Sequence, residues 1–188
     1  MTTTDTRETI MRAARAMLQN RGYNALSFRE LAAEVGVKSS SVHYHFPTKG
    51  DLAAALARRY ADDLVVYLDG LLAASQDQQS CIRSYTGFFR AALLKDNRMC
   101  LAGILAAEHA DLPVEVRAEL TRFAEVNVRW LVEVLSLGKS GADTEAVQRQ
   151  ALAIYAAIEG AQLVARGHGD VAVFDQIIET YRTAGVLP

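Results

Sequence analysis

What most restricts the fold of this chain is how seldom it is interrupted. Only two prolines, Pro47 and Pro113, lie inside the 188 residues, while 31 positions are alanine. Proline removes a backbone donor and clashes with the preceding turn, whereas alanine loses least on entering a helix. Strands favour β-branched and aromatic residues, and aromatics make up only 7% of the chain. The expectation is an all-α fold, either one globule or a small module joined to a medium one. No apolar run approaches the roughly 20 residues of a membrane-spanning helix, and the N-terminus lacks an apolar signal segment. Neither a membrane protein nor a secreted precursor is therefore expected.

The net charge of −2 conceals an asymmetry. Residues 1–60 carry nine Lys and Arg against five Asp and Glu, and residues 61–188 carry eleven against seventeen. A basic N-terminal module is thus joined to an acidic body, a distribution suited to meeting a polyanion at one end. Cys81 and Cys100 have no CxxC or histidine-rich spacing, which fits a reduced cytoplasm better than a disulfide scaffold. His43 and His45 are about 200° apart on a helix and cannot chelate one ion, and His109 and His168 stand alone in sequence. No metal and no cofactor are expected.

The first helix is read from Ile10, Ala13, Ala14, Met17 and Leu18 on one face, and Gly22 ends it. Ser27-Phe28-Arg29-Glu30 is an S-x-x-E capping box opening a short second helix, with Phe28, Leu31, Ala32 and Val35 inward and Arg29 outward. After Gly36-Val37-Lys38 a very short third helix runs from Ser39 to His45 and closes at Phe46-Pro47. Val42 and Phe46 share its inner side, leaving Ser39, Ser40, His43 and Tyr44 opposite. Those donors and acceptors can reach base edges and phosphates, and small serines allow close approach to a duplex. Helix, glycine turn and short polar helix make a helix-turn-helix.

The stretch from Phe28 to Val37, followed by Ser41-Val42-His43-Tyr44-His45-Phe46-Pro47-Thr48-Lys49-Gly50-Asp51-Leu52, resembles the N-terminal DNA-binding signature of TetR-type repressors. The resemblance covers about residues 5–55. It implies a homodimeric, ligand-responsive transcription factor that binds a double-stranded, palindromic DNA operator. By that resemblance Arg29, Ser39, Ser40, His43 and Tyr44 turn toward bases or phosphates, and Lys49 matches a phosphate-contacting lysine. Ser41 and His45 flank this face and suit backbone contact. Arg29 and His43 are the expected base readers, since arginine bonds guanine bidentately; Lys38 and Lys49 are expected to act through charge. Lys38 departs from the family pattern, which often has Ser or Thr as the helix cap there, and puts a cation near the positive helix end.

The division expected is a helix-turn-helix domain over residues 1–50 and a helical effector-binding and dimerisation domain over 51–188. Six further helices are read in the second part: Thr48 to about Leu72, Cys81–Leu94, Met99–His109, Val114–Leu137, Glu145–Arg166 and one from Asp170 to about Ala184. Polar breaks at Ser75 to Gln79 and Lys95 to Asn97, and a glycine stop from Gly138 to Gly141, separate them. The large residues available to an effector pocket are Tyr85, Phe88, Phe89, Met99, Phe123, Trp130 and Tyr155. Asn127, Glu159 and Gln162 are polar positions that could orient a ligand. Ala151, Ile154, Ile158, Ala161 and Ala165 form a small-residue stripe on one late helix, and Val173, Ile177 and Tyr181 one on the last; two such pairs could form a symmetric dimer bundle.

The segment from Met99 to Glu108 is similar to one in TetR-type repressors that sense electrophiles or oxidants through a cysteine, which makes Cys100 an alternative switch. Arg98 and a helix start beside it would favour the thiolate. A helical enzyme is a remote alternative, because no nucleophile–base pair, paired carboxylates, phosphate loop or metal spacing is present.

Overall fold

The structure is a computed structural model that describes residues 3–74, 77–138 and 143–188. Among them all regular structure is helical: α1 (Thr3–Arg21), α2 (Phe28–Val35), α3 (Ser39–His45), α4 (Lys49–Ala74), α5 (Gln78–Leu93), α6 (Leu101–Ala107), a 3-10 turn (His109–Asp111), α7 (Val114–Ser136), α8 (Thr144–His168) and α9 (Val171–Thr183). Among these residues no helix is long and apolar enough to cross a membrane. Ser75 and Gln76 of the expected polar break, and residues 139–141 of the expected glycine stop, lie outside the described residues.

The helix ends follow from their capping chemistry. Asp143 opens α8 by accepting from the Glu145 and Ala146 amides at 3.0 and 3.4 Å, and Asp170 opens α9 by accepting from Ala172 at 2.8 Å. Asp77 caps α5 through the Ser80 amide at 2.8 Å, so that helix starts before the expected Cys81. The segment expected as one helix from Met99 to His109 is instead α6 followed by a 3-10 turn. In that turn Leu112 N–H bonds to His109 O, ahead of Pro113, which cannot donate.

Two compact units emerge. The first joins Met1–Ala61 to Leu101–Arg122, and the second joins Asp62–Cys100 to Phe123–Pro188. In the first, α1 packs on α2, α3 and α6 around buried Ile10, Ala14, Leu18, Leu31 and Val42. A segment about eighty residues downstream thus completes the core of the N-terminal module, an association that local periodicity does not report. In the second, α8 packs on α5 and α9 around fully buried Tyr85, Phe89, Phe123 and Phe174.

Candidate functional site

The geometry of α2 and α3 begins with their caps. Ser27 Oγ accepts from the Glu30 amide at 3.3 Å, giving one half of the capping box. The Glu30 carboxylate is instead drawn 2.8 Å from Arg21 Nη1. Gly36 leaves α2 in the left-handed region at φ 77°, where a side chain would be strained, and Val37 N–H closes the turn on Ala32 O at 2.9 Å. Lys38 then occupies the N-cap of α3 with extended φ and ψ but makes no side-chain cap bond. The third helix is held from below: Val42 and Phe46 are buried, and the Arg7 guanidinium lies 5.0 Å from the Phe46 ring centre. Burial of two such side chains contributes about 1.5–3 kcal/mol each, without which seven residues could not remain helical.

This anchoring leaves the opposite face of α3 open. Ser39, Ser40, His43 and Tyr44 are exposed, Tyr44 by 76%, while Ser41 and His45 are half-buried on the flanks. Lys38, immediately before α3, and Arg29, on α2, are exposed as well. His43 is oriented rather than free-swinging: its ring meets Phe28 edge-on at 4.8 Å, and Nδ1 lies 3.3 Å from Pro47 O. Lys49 is half-buried, with Nζ 4.2 Å from the Tyr23 ring centre and donating to Asn24 O at 3.4 Å.

A residue that sequence reasoning passed over secures the turn between α1 and α2. The Glu108 carboxylate accepts from the Tyr23 amide in a short bond and lies 3.4 Å from the Asn24 amide, while Asn24 Nδ2 donates to Asp111 Oδ2 at 2.7 Å. Gly22, at φ 80°, lets that carboxylate come close: a Cβ there would meet Glu108 Oε2 at 2.6 Å. The available signal was the pair Gly22 and Tyr23, which pointed to a turn but not to a partner so distant in sequence.

In the second unit the expected ligand-orienting residues are mostly engaged with one another. Tyr85 OH donates to Asn127 Oδ1 at 2.7 Å, and Asn127 Nδ2 donates to Phe123 O at 2.7 Å. Gln162 accepts from the Cys100 amide at 2.9 Å and donates to Phe89 O at 2.7 Å. Trp130 donates to Leu68 O at 3.0 Å, and its ring lies 5.1 Å from that of Tyr85. Met99 is buried, Phe88 is half-buried against Tyr67 and Phe89, and Tyr155 is half-buried with its hydroxyl held far above the usual phenol range by burial. Glu159 differs, because neither buried carboxylate oxygen has a hydrogen-bond partner. Burial pushes its carboxyl up to about 7, against a smaller opposing effect of the nearby Cys100 thiol and Tyr155 hydroxyl.

The family model for bacterial regulatory proteins of the tetR family matches residues 10–56, which run from α1 into the start of α4. The fold matches the crystal structure of a TetR transcriptional regulator from Legionella pneumophila with a TM-score of 0.87 and 30% identity, over 94% of this chain and 95% of that one. The chain belongs to the TetR family. A TetR-family transcriptional regulator from Agrobacterium tumefaciens matches at 28% identity with a TM-score of 0.85, over 94% of this chain and 95% of that one. The same fold, at 15% identity and a TM-score of 0.69, is found in FadR from Bacillus subtilis, solved in complex with stearoyl-CoA; 92% of this chain and 95% of that one are covered. No curated protein sequence matches the chain. The chain is therefore a TetR-family transcriptional regulator with a helix-turn-helix DNA-binding domain.

Within this TetR-family fold the expected small-residue stripe of α8 needs correction. Ala151, Ile154, Ile158, Ala161 and Ala165 are buried inside the single chain, where α8 meets α5 and α9. The face α8 leaves uncovered is offset from that stripe and carries Leu152, Ala156, Gly160, Leu163 and Val164, with Leu163 exposed by 61%. On α9, Val173, Ile177 and Tyr181 are half-buried.

Proposed function

We propose that the chain is a homodimeric repressor that acts by binding, not by catalysis: α3 enters the major groove of a palindromic operator, and a small-molecule effector in the second unit releases it. The observation that carries this reading is the open face of α3. Four exposed polar side chains stand on a helix held from below by Val42 and Phe46, with Lys38 exposed immediately before it and Arg29 exposed on α2. Arg29 and His43 read bases, Lys38 and Lys49 attract phosphate, and Ser41 and His45 contact the backbone.

The uncovered face of α8 supports the dimer, and the occupant assigned to it is a second copy of the chain. Leu152, Leu163 and Val164 are large apolar residues exposed beside Ala156 and Gly160, whose small size lets two helices approach closely. A two-fold axis would present two copies of α3 to a palindrome. Leu163→Glu should turn a dimer into a monomer in analytical ultracentrifugation, and a wild-type chain that sediments as a monomer would refute the assignment.

Release by modification of Cys100 draws no support from the geometry. The thiol is fully buried, Arg98 pairs with Asp96 at 2.8 Å, and the ionisable groups that bear on the thiol include the Glu159 carboxyl and the Tyr85 and Tyr155 phenols, none of which favours a thiolate.

The operator reading is tested by fluorescence anisotropy with DNA from the chain's own promoter region. Affinity should fall steeply with salt, and Lys49→Ala should reduce the slope of log K against log salt by about one unit. Absent or salt-insensitive binding would overturn the reading.

A further inference from the structure

Among the buried side-chain polar atoms described in the second unit, those without a hydrogen-bond partner are Arg98 Nε, whose guanidinium still pairs with Asp96, and the two oxygens of Glu159. Asn127 and Gln162 each spend both ends of their amides on partners within the unit. Glu159, on the same side of α8 as Tyr155 and Gln162, has two buried oxygens with the Cys100 thiol and Tyr155 hydroxyl nearby but no partner in hydrogen-bond geometry. Among the described residues it forms no ion pair. The titratable groups that bear on it are the Cys100 thiol, Tyr155 on its own helix and Tyr85 on α5. An unpaired buried carboxylate is costly and is retained only where something offsets it. Besides the Cys100 thiol, the groups that bear on it are two tyrosines, and one of these belongs to an aromatic cluster. The Tyr85 ring packs at 5.3 Å on Phe89 and 5.1 Å on Trp130, and Tyr155 lies one helical turn before Glu159. Aromatic faces carry negative charge density and attract cations.

We propose that Glu159 is the anionic anchor of the effector site and that the effector is an organic ammonium ion on an apolar or aromatic body, its cation seated on the carboxylate and flanked by the tyrosine rings. An anionic effector would be repelled by the carboxylate, and a neutral one would offer it at most a hydrogen bond without the opposite charge, so the site discriminates by charge as well as shape. This inference rests on the reading of the second unit as an effector module.

Trp130 is the chain's single tryptophan and reports on this region without a label. Full-length protein is titrated with phenyltrimethylammonium and phenethylammonium, and in parallel with neutral 2-phenylethanol and anionic 3-phenylpropanoate, following tryptophan emission. The ammonium probes should bind at least about tenfold more tightly than the neutral one, and Glu159→Gln should abolish that preference. In the wild type, ammonium affinity should fall by up to about tenfold per pH unit below about 7 and level off above it, because the carboxyl must lose its proton to pair with the cation. This pH profile needs no variant. No ammonium-dependent change, equal binding of the neutral probe, or a preference that survives Glu159→Gln would overturn the proposal. Promoter DNA binding, measured on the same preparation, separates the two claims. Salt-sensitive DNA binding without cation preference refutes the anchor and leaves the regulator reading standing, whereas cation preference without DNA binding does the reverse.

Discussion

The two units handle polar side chains in opposite ways. On α3 Ser39, Ser40, His43 and Tyr44 stand in solvent, where hydration satisfies them at no cost, and the helix is kept in place by Val42 and Phe46 beneath. In the second unit Asn127, Gln162 and Glu159 lie among aromatic rings, where each polar atom needs a partner or raises the energy of the fold. A surface built for a large polyanion can leave its donors to water until the partner arrives. A packed interior must satisfy them from within, and there the Glu159 carboxyl, unlike the amides of Asn127 and Gln162, has no hydrogen-bond partner.

The sharpest way to break the first half of this contrast is Phe46→Ala. Removing a buried ring that supports a seven-residue helix should cost about 3–5 kcal/mol in denaturant unfolding and abolish DNA binding with it. If stability falls and binding survives, α3 is not the reading element.

The second half is tested by pH. The Glu159 carboxyl is raised from the ordinary 4.5 to about 7, so the folded chain holds that proton more tightly than the unfolded one. Its contribution to stability is therefore complete below about pH 4.5, is lost as pH rises through about 7, and amounts to roughly 3 kcal/mol. Glu159→Gln has no proton to lose. Its unfolding free energy should lack that decline, so its stability relative to wild type should grow from pH 4 to pH 8. Parallel curves for the two proteins would show that the carboxyl is not held in a dry environment.

Smaller effects refine the picture of the first unit. Gly22→Ala places a side chain at φ 80° against the Glu108 carboxylate and should cost about 1–3 kcal/mol in thermal or denaturant unfolding. A neutral result would mean that the clamp on the α1–α2 turn contributes little. Lys38→Ser supplies the cap that α3 lacks and should raise stability by about 1 kcal/mol. No gain would indicate that Ser39 already serves the helix end.

Much of this architecture is legible locally because its signals are local. Ser27, Gly36, Asp143 and Asp170 each act on backbone groups within a few residues, so the helix ends can be read from one turn of sequence. The exposed face of α3 follows from helical period alone, once Val42 and Phe46 are set inward. Other features depend on partners that a single segment does not name. Glu108 reaches Tyr23 and Asn24 across more than eighty residues, and Glu30 turns from its capping box to Arg21. Helix α8 is apolar on nearly every side, with alanine, leucine and isoleucine all around it, so periodicity cannot choose which stripe its own chain covers. The α5 and α9 neighbours make that choice, burying Ala151, Ile154 and Ile158 and leaving Leu152 and Leu163 outside. Glu159 could be singled out as a polar residue in mid-helix, but only the packed structure distinguishes it from Gln162, whose partners satisfy it.

If the uncovered face of α3 meets nucleic acid, a negative charge placed on it by Ser40→Glu should weaken binding without unfolding the protein. Ser40 is exposed, so the substitution should leave unfolding free energy within about 0.5 kcal/mol of wild type. It also places a carboxylate against the DNA phosphates, and promoter affinity measured by anisotropy should drop by at least about tenfold. Unchanged affinity in a protein of unchanged stability would mean that DNA does not meet this face of α3.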